Sequence, residues 1–405
     1  MRLHPFKALR PTPEYADRVA SVPYDTINTE EARQLADGNP ESFLHVIRSE
    51  IDLPPETDPH SDAVYAQSAT ALRQLQDSGV LIEEEVPSLY VYRITLGEFS
   101  QTGVVGCGHV EDYDNNIILK HEKTRPDKEA DRTRLNSELR AQPGPVFLTY
   151  RDVAEIDAVV ASVMESGPLL VANAEDGALH EIWRVEHPEG LVDAFAAVPA
   201  SYIADGHHRA AAAANAARNF GADNPDHTGR EEYNWFLSVL FPASQLRILP
   251  YNRAVKDLNG QNAEAFVEAL SEQVTMSGEG DASPAGTRQV SCFVDGKWIG
   301  MTLPEPERED AVAQLDVSLL QDLVLNRLLG VEDPRRDERI EFIGGIRGTG
   351  ELEDKVNRGD AAVAFSMWPV TVDQMMDIAD AGAIMPPKST WFEPKLRSGL
   401  LVHTF

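Results

Sequence analysis

The most informative chemistry in the chain lies in five residues, Asp205-Gly206-His207-His208-Arg209, which open onto the alanine-rich run from Ala210 to Ala217. A glycine turn leading into a helix start presents unsatisfied backbone N–H groups and the positive end of the helix dipole. Two imidazoles and a guanidinium there add the side-chain donors that a phosphate needs. The competing reading is a capped turn, with Asp205 as N-cap and Gly206 supplying positive φ. Cations in a first helical turn oppose the dipole by ~0.3–1 kcal/mol each unless an anion sits between them, which favours an anion site.

Further candidates are scattered along the chain. His121-Glu122-Lys123-Thr124-Arg125 offers a general base or metal ligand, with Arg125 and Arg132 as anion clamps. Pro126 makes Arg125 extended, so this string lies on a loop ahead of a charged helix. Its spacing is not that of a zinc-protease helix. Gly344-Gly345-Ile346-Arg347-Gly348 is a glycine-rich turn without the lysine of a Walker loop. Met385-Pro386-Pro387-Lys388 and Pro394-Lys395-Leu396-Arg397 gather cations that are scarce elsewhere. Arg253 stands as a lone cation. No nucleophile elbow is visible, and neither Cys107 nor Cys292 has an activating context, so covalent catalysis is not expected.

The elements that must position these groups read as mixed α and β. Helices are expected over 30–36, 63–78, 128–140, 156–164 and 317–329, and the alanine run makes another. Strands are expected over 43–47, 146–150, 169–173, 182–185, 233–241 and 246–251. Residues 89–96 and 102–110 read as one hairpin, and Asp295-Gly296 marks a second between 289–294 and 297–303. No regular βαβ period demands a Rossmann sheet. The Gly-, Ser- and Pro-rich stretch 277–288 reads as a linker, dividing the chain into regions 1–276 and 289–405.

Composition narrows the function classes. The 405 residues hold 36 Lys and Arg against 66 Asp and Glu, a formal net charge of −30. Such a surface repels nucleic acid and anionic membranes, and makes the few basic clusters candidate anion sites. The N-terminal residues lack an apolar signal core, no stretch is a membrane span, and two distant cysteines suit a reducing compartment. A cytoplasmic location is therefore expected.

Six strings, VPYDTIN, FLHVIRSE, HEKTRPDKEADR, ADGHHRAAAA, GGIRGT and MPPKSTWFEPKLRSGL, occur in the same order in a prokaryotic family that the chain resembles, the domain of unknown function family numbered 1015. Asn252 departs from it, since the family usually has a histidine before the arginine. The DGHHR turn also resembles the phosphate loop of the ParB/sulfiredoxin superfamily, where a Gly-x-x-Arg turn at a helix start holds nucleotide phosphates. That resemblance implies a ParB/sulfiredoxin-like nucleotide-binding core with additional α/β elements. It implies phosphate contacts from Gly206, His207, His208 and Arg209, with Asp205 supporting the turn or Mg²⁺. Sulfiredoxins carry a cysteine where this chain has His207, which argues against sulfinic acid repair.

The expectation is a phosphotransferase using ATP or ADP with Mg²⁺ on a small hydroxylated metabolite, free L-serine being the most specific guess. Glu122 is the preferred base, with His121 beside it and Asp25 in reserve. Arg125, Arg132, Arg347 and Lys388 are the expected clamps on substrate or phosphate. The alternatives are a metal-dependent phosphohydrolase ligated by His121, Glu122, Asp205, His207 and His208, or a non-enzymatic ParB-like nucleotide-binding module.

Overall fold

Apolar alternation over Leu89–Leu96 and Phe99–His109 makes the long antiparallel hairpin at the middle of the largest sheet. In the computed structural model, which describes residues 1–405, the chain divides into two units, Met1–Leu246 with Pro394–Phe405, and Arg247–Glu393. The first unit's main sheet runs in the order Ile118–Leu119, Ser201–Asp205, Val146–Tyr150, Trp235–Pro242, Phe99–His109, Leu89–Leu96, Leu179–Val185, Leu170–Asn173. Its pairings are parallel at Ser201–Ile118 and Ser238–Val146, and antiparallel elsewhere along that path. The fold is thus mixed α+β and not a Rossmann sheet, as expected.

Helix His207–Asp223 sets its buried alanines, Ala210, Ala213, Ala214 and Ala217, into the core formed with Val146, Leu148, Ile203 and Phe236. Small side chains there allow a helix to lie close on the sheet. A second core, around Phe43, Leu44, Leu72 and Val402, lies under helices Thr29–Ala36 and Asp62–Asp77. The C-terminal strand Val402–Thr404 is shared between Ala8–Pro11 and Ala141–Gln142. That pairing makes the tail part of the first unit.

The second unit is built on a six-stranded antiparallel sheet, Thr275–Glu279, Lys297–Thr302, Gln289–Val294, Val363–Met367, Tyr251–Val255, Ile340–Gly344. Asp295 and Gly296 both take positive φ, as the predicted tight hairpin requires.

Two expectations are corrected. Residues 277–279 end strand Thr275–Glu279 and 280–288 loop from it to Gln289–Val294, both strands pairing with Lys297–Thr302, so the stretch lies inside the second unit, Arg247–Glu393. Turn-forming composition is the same for a loop within a sheet and a linker between units. Residues 44–47 form a helical turn instead of a strand. Ser42 starts it, its hydroxyl accepting from Leu44 N–H and its carbonyl from His45 N–H. A short run that is mostly buried carries no period that separates the two states.

Candidate functional site

Strand Ser201–Asp205 ends in Gly206, whose φ of +98° makes the turn into the helix at His207. Gly206, and not Asp205, is the N-cap. Only glycine takes that conformation without strain. Space is short as well, because a Cβ on Gly206 would lie 3.0 Å from Cζ of Arg209. The guanidinium is folded back across the turn that it follows.

The Asp205 carboxylate is engaged by two cations. Lys395 Nζ donates to it at 3.2 Å, and Arg209 Nη2 stands 3.4 Å away. Burial works against its charge, but Lys395 and Arg209 hold its pKa well below the usual carboxylate range. Arg209 Nη1 also donates to the Pro145 carbonyl, while its Nε is buried without a hydrogen-bond partner. Two cations thus meet one carboxylate at a helix start whose own dipole is positive.

His121 and His207 are both buried and meet edge to face, with ring centres 4.5 Å apart. The His121 backbone N–H donates to His207 Nε2 at 3.4 Å. This bond assigns the proton of His207 to Nδ1, which faces Glu122 Oε2 at 3.6 Å. Burial pushes His121 down to about 4 and His207 well below its ordinary value. His208 Nε2 accepts from the Arg125 backbone N–H at 3.1 Å, and burial lowers this imidazole too. His207 and His208 are therefore neutral anchors that tie the 121–125 loop to the helix start. Their Nε2 atoms are not free to donate to an anion, contrary to the reading from sequence.

Asp25 is exposed, yet close enough for its carboxylate to act on both His208 and Arg209. Beside it, Tyr24 lies under the Arg132 guanidinium, 4.2 Å from ring centre to Cζ. Arg132 pairs with Asp131 at 2.7 Å. Tyr24, Arg132 and Arg209 line a narrow cavity of about 30 Å³ with Asn136, Gln142 and Ser398. Apolar walls come from Ile47, Leu135, Val146 and Phe236. Arg125 contributes its backbone only, since its exposed guanidinium pairs with Asp127.

Arg347 and Lys388 belong to the second unit. Arg347 is exposed on the short turn Gly345–Arg347, and Lys388 is exposed with φ +55°. No group of three or more His, Cys, Asp or Glu side chains is arranged to hold a metal ion, so the five-residue ligand set of the hydrolase reading is not formed. No helix is long and apolar enough to cross a membrane.

Sequence reasoning noted Lys395 only within a cation-rich string and gave no role to Tyr24, Asn136, Gln142 or Ser398. Tyr24 and Lys395 do sit inside recognised strings, next to Asp25 and within the cation-rich tail. Asn136, Gln142 and Ser398 carry no sequence signal, since ordinary polar residues become notable only when a cavity collects them.

Among solved structures, a conserved hypothetical protein from Pyrococcus furiosus is 12% identical, over 74% of this chain and 95% of that one, with a TM-score of 0.36. A free serine kinase in complex with AMP is 14% identical over 73% and 92%, TM-score 0.36. A C-terminally truncated SbnI from Staphylococcus aureus is 11% identical over 74% and 87%, TM-score 0.39. Similarity at this level carries no functional argument. No curated protein matches. The family profile described as "Protein of unknown function (DUF1015)" matches residues 3–318, and the chain belongs to that family.

Proposed function

We propose that this protein is a nucleotide-dependent phosphotransferase acting on a small hydroxylated metabolite, with free L-serine the first acceptor to test. The observation that carries the reading is the helix start at Gly206, where Arg209 and Lys395 flank a single carboxylate and Arg209 Nε is buried unpartnered. A buried donor without a partner costs about 1–3 kcal/mol, which a phosphate oxygen would recover. Phosphoryl transfer asks for clamps on the phosphates and a carboxylate to take the hydroxyl proton.

In this reading the N–H groups of His207 and His208, with Arg209 and Lys395, hold the phosphates of ATP or ADP. Glu122 takes the acceptor proton, its carboxylate steadied by the Nδ1–H of His207. Asp25 is the second acid within electrostatic reach of Arg209. Arg132, on the cavity wall, suits an acceptor carboxylate, while Arg125 serves through its backbone N–H to His208. Arg347 and Lys388 lie on the second unit and take no part in this reading. Mg²⁺ would come with the nucleotide and neutralise charge on the transferring group. A metal that prefers phosphates and one or two carboxylates needs no preformed cluster.

The test is calorimetric titration of ADP against Arg209→Ala. Loss of a charge-assisted contact of ~1.5–3 kcal/mol predicts affinity at least tenfold weaker, and unchanged affinity would remove the proposal.

A further inference from the structure

Buried arginines elsewhere in this chain each have a carboxylate. Arg10 pairs with Glu84, and Arg397 with Asp176. Arg253, on strand Tyr251–Val255 of the second unit, is 3% exposed and has none. Its Nη1 donates to the Tyr251 carbonyl, and Nη2 to the Lys388 carbonyl at 3.3 Å. Its Nε–H makes no hydrogen bond within the protein. In a chain with 66 acids to 36 bases, a buried cation left without a counter-charge is an anomaly. Burial, partly opposed by Tyr251, pushes its pKa down to about 10.

The surroundings are built with unusual tightness. Strand pairing sets Tyr251 opposite Gly344 and Arg253 opposite Phe342. Gly345 N–H donates to the Pro250 carbonyl at 2.8 Å, and a Cβ on Gly345 would lie 2.7 Å from that oxygen. Lys388, held at φ +55°, places its ammonium 5.6 Å from the Tyr251 ring centre. The strand, the glycine turn and the lysine loop, which are remote in sequence, thus meet at Tyr251 and Arg253, with the Lys388 carbonyl on the guanidinium and its ammonium beside the Tyr251 ring.

We propose that the second unit carries an anion site in which the Arg253 guanidinium and the Lys388 ammonium hold a phosphate group. Two cations without a carboxylate match a dianion, and a guanidinium and an ammonium supply planar and point-charge recognition together. The shared chemistry is a phosphate, as the free anion or as the terminal group of a phosphomonoester.

The test is calorimetry on the full chain with inorganic phosphate and with glycerol phosphate, comparing wild type, Arg209→Ala, Lys388→Met and Arg253→Met. Binding should persist in Arg209→Ala and weaken about tenfold or more in each of the other two. Lys388 is exposed, so its variant should keep the parent melting temperature without ligand, which separates lost binding from lost folding. Tighter binding of glycerol phosphate identifies a metabolite, and equal binding the free anion. Absence of binding in both wild type and Arg209→Ala at millimolar ligand overturns the site. Undiminished binding in Lys388→Met and Arg253→Met does the same. Neither result bears on nucleotide binding at the first unit, which Arg209→Ala reads separately.

Discussion

Replacing Gly206 by alanine attacks the phosphate-loop account at its narrowest point. At φ +98° an L-residue is held in a sparsely populated region that costs about 1–3 kcal/mol. The new methyl would stand 3.0 Å from both Cζ and Nε of Arg209, tighter than ordinary contact, so the guanidinium must give by a few tenths of an ångström. Its bond to the Pro145 carbonyl and its 3.4 Å approach to Asp205 are weakened by that shift, at up to about 1 kcal/mol. The sum is about 1–4 kcal/mol. For a unit of this size that is a melting temperature lower by about 2–16 °C. Gly144→Ala is the control, because a Cβ there meets Ser398 Oγ at 3.4 Å and Arg209 Cδ at 3.7 Å, without positive φ. Scanning calorimetry with an ADP titration should show Gly206→Ala destabilised and weak in nucleotide binding, and Gly144→Ala close to the parent. Equal melting temperatures and affinities for the two variants would refute the reasoning.

Other predictions test neighbouring parts of the account. The His121 pKa lies near 4 in the folded chain against 6.5 ordinarily, so folding favours its neutral form. That stability is complete above about pH 6.5 and is lost as pH falls toward 4, by about 3 kcal/mol, and His121→Phe should flatten a pH series of denaturant midpoints over that window. Burial raises both Cys107 and Cys292 thiols, so neither should react with a thiol reagent until denaturant is added. Lys395→Met leaves Asp205 with Arg209 alone, and should weaken ADP binding about tenfold while steady-state KM for the acceptor stays near the parent value. Glu122→Gln should lower kcat by ~10²-fold or more with little change in nucleotide affinity, if Glu122 is the base.

Much of the helix content and the long hairpin was legible because period and caps agree. Asn28 caps Thr29–Ala36 with Glu31 closing the box, and alternation from Leu89 fixes the pairing with Phe99–His109. Residues 44–47 failed because a four-residue buried run has no period to read. The Gly206 turn and its neighbourhood to the 121–125 string were partly legible, but the partners of the side chains were not. His207 and His208 looked like donors because sequence cannot show that backbone N–H groups of a loop over eighty residues away occupy their Nε2 atoms. The partner of Lys395 was hidden for a related reason. Lys395 comes to Asp205 only because the tail returns to the first unit after the whole of the second, a long-range connection that composition at 277–288 misplaced.

The most direct measurement is titration of ADP and ATP with Mg²⁺ by calorimetry, followed in the same sample by phosphorus NMR with serine and other hydroxylated acceptors. The account predicts binding that Arg209→Ala weakens at least tenfold and a new phosphomonoester signal when an acceptor is present. Binding without turnover for any acceptor would contradict the transferase and leave a nucleotide-responsive module. Absence of nucleotide binding would contradict the phosphate-loop reading of Gly206 and Arg209 altogether.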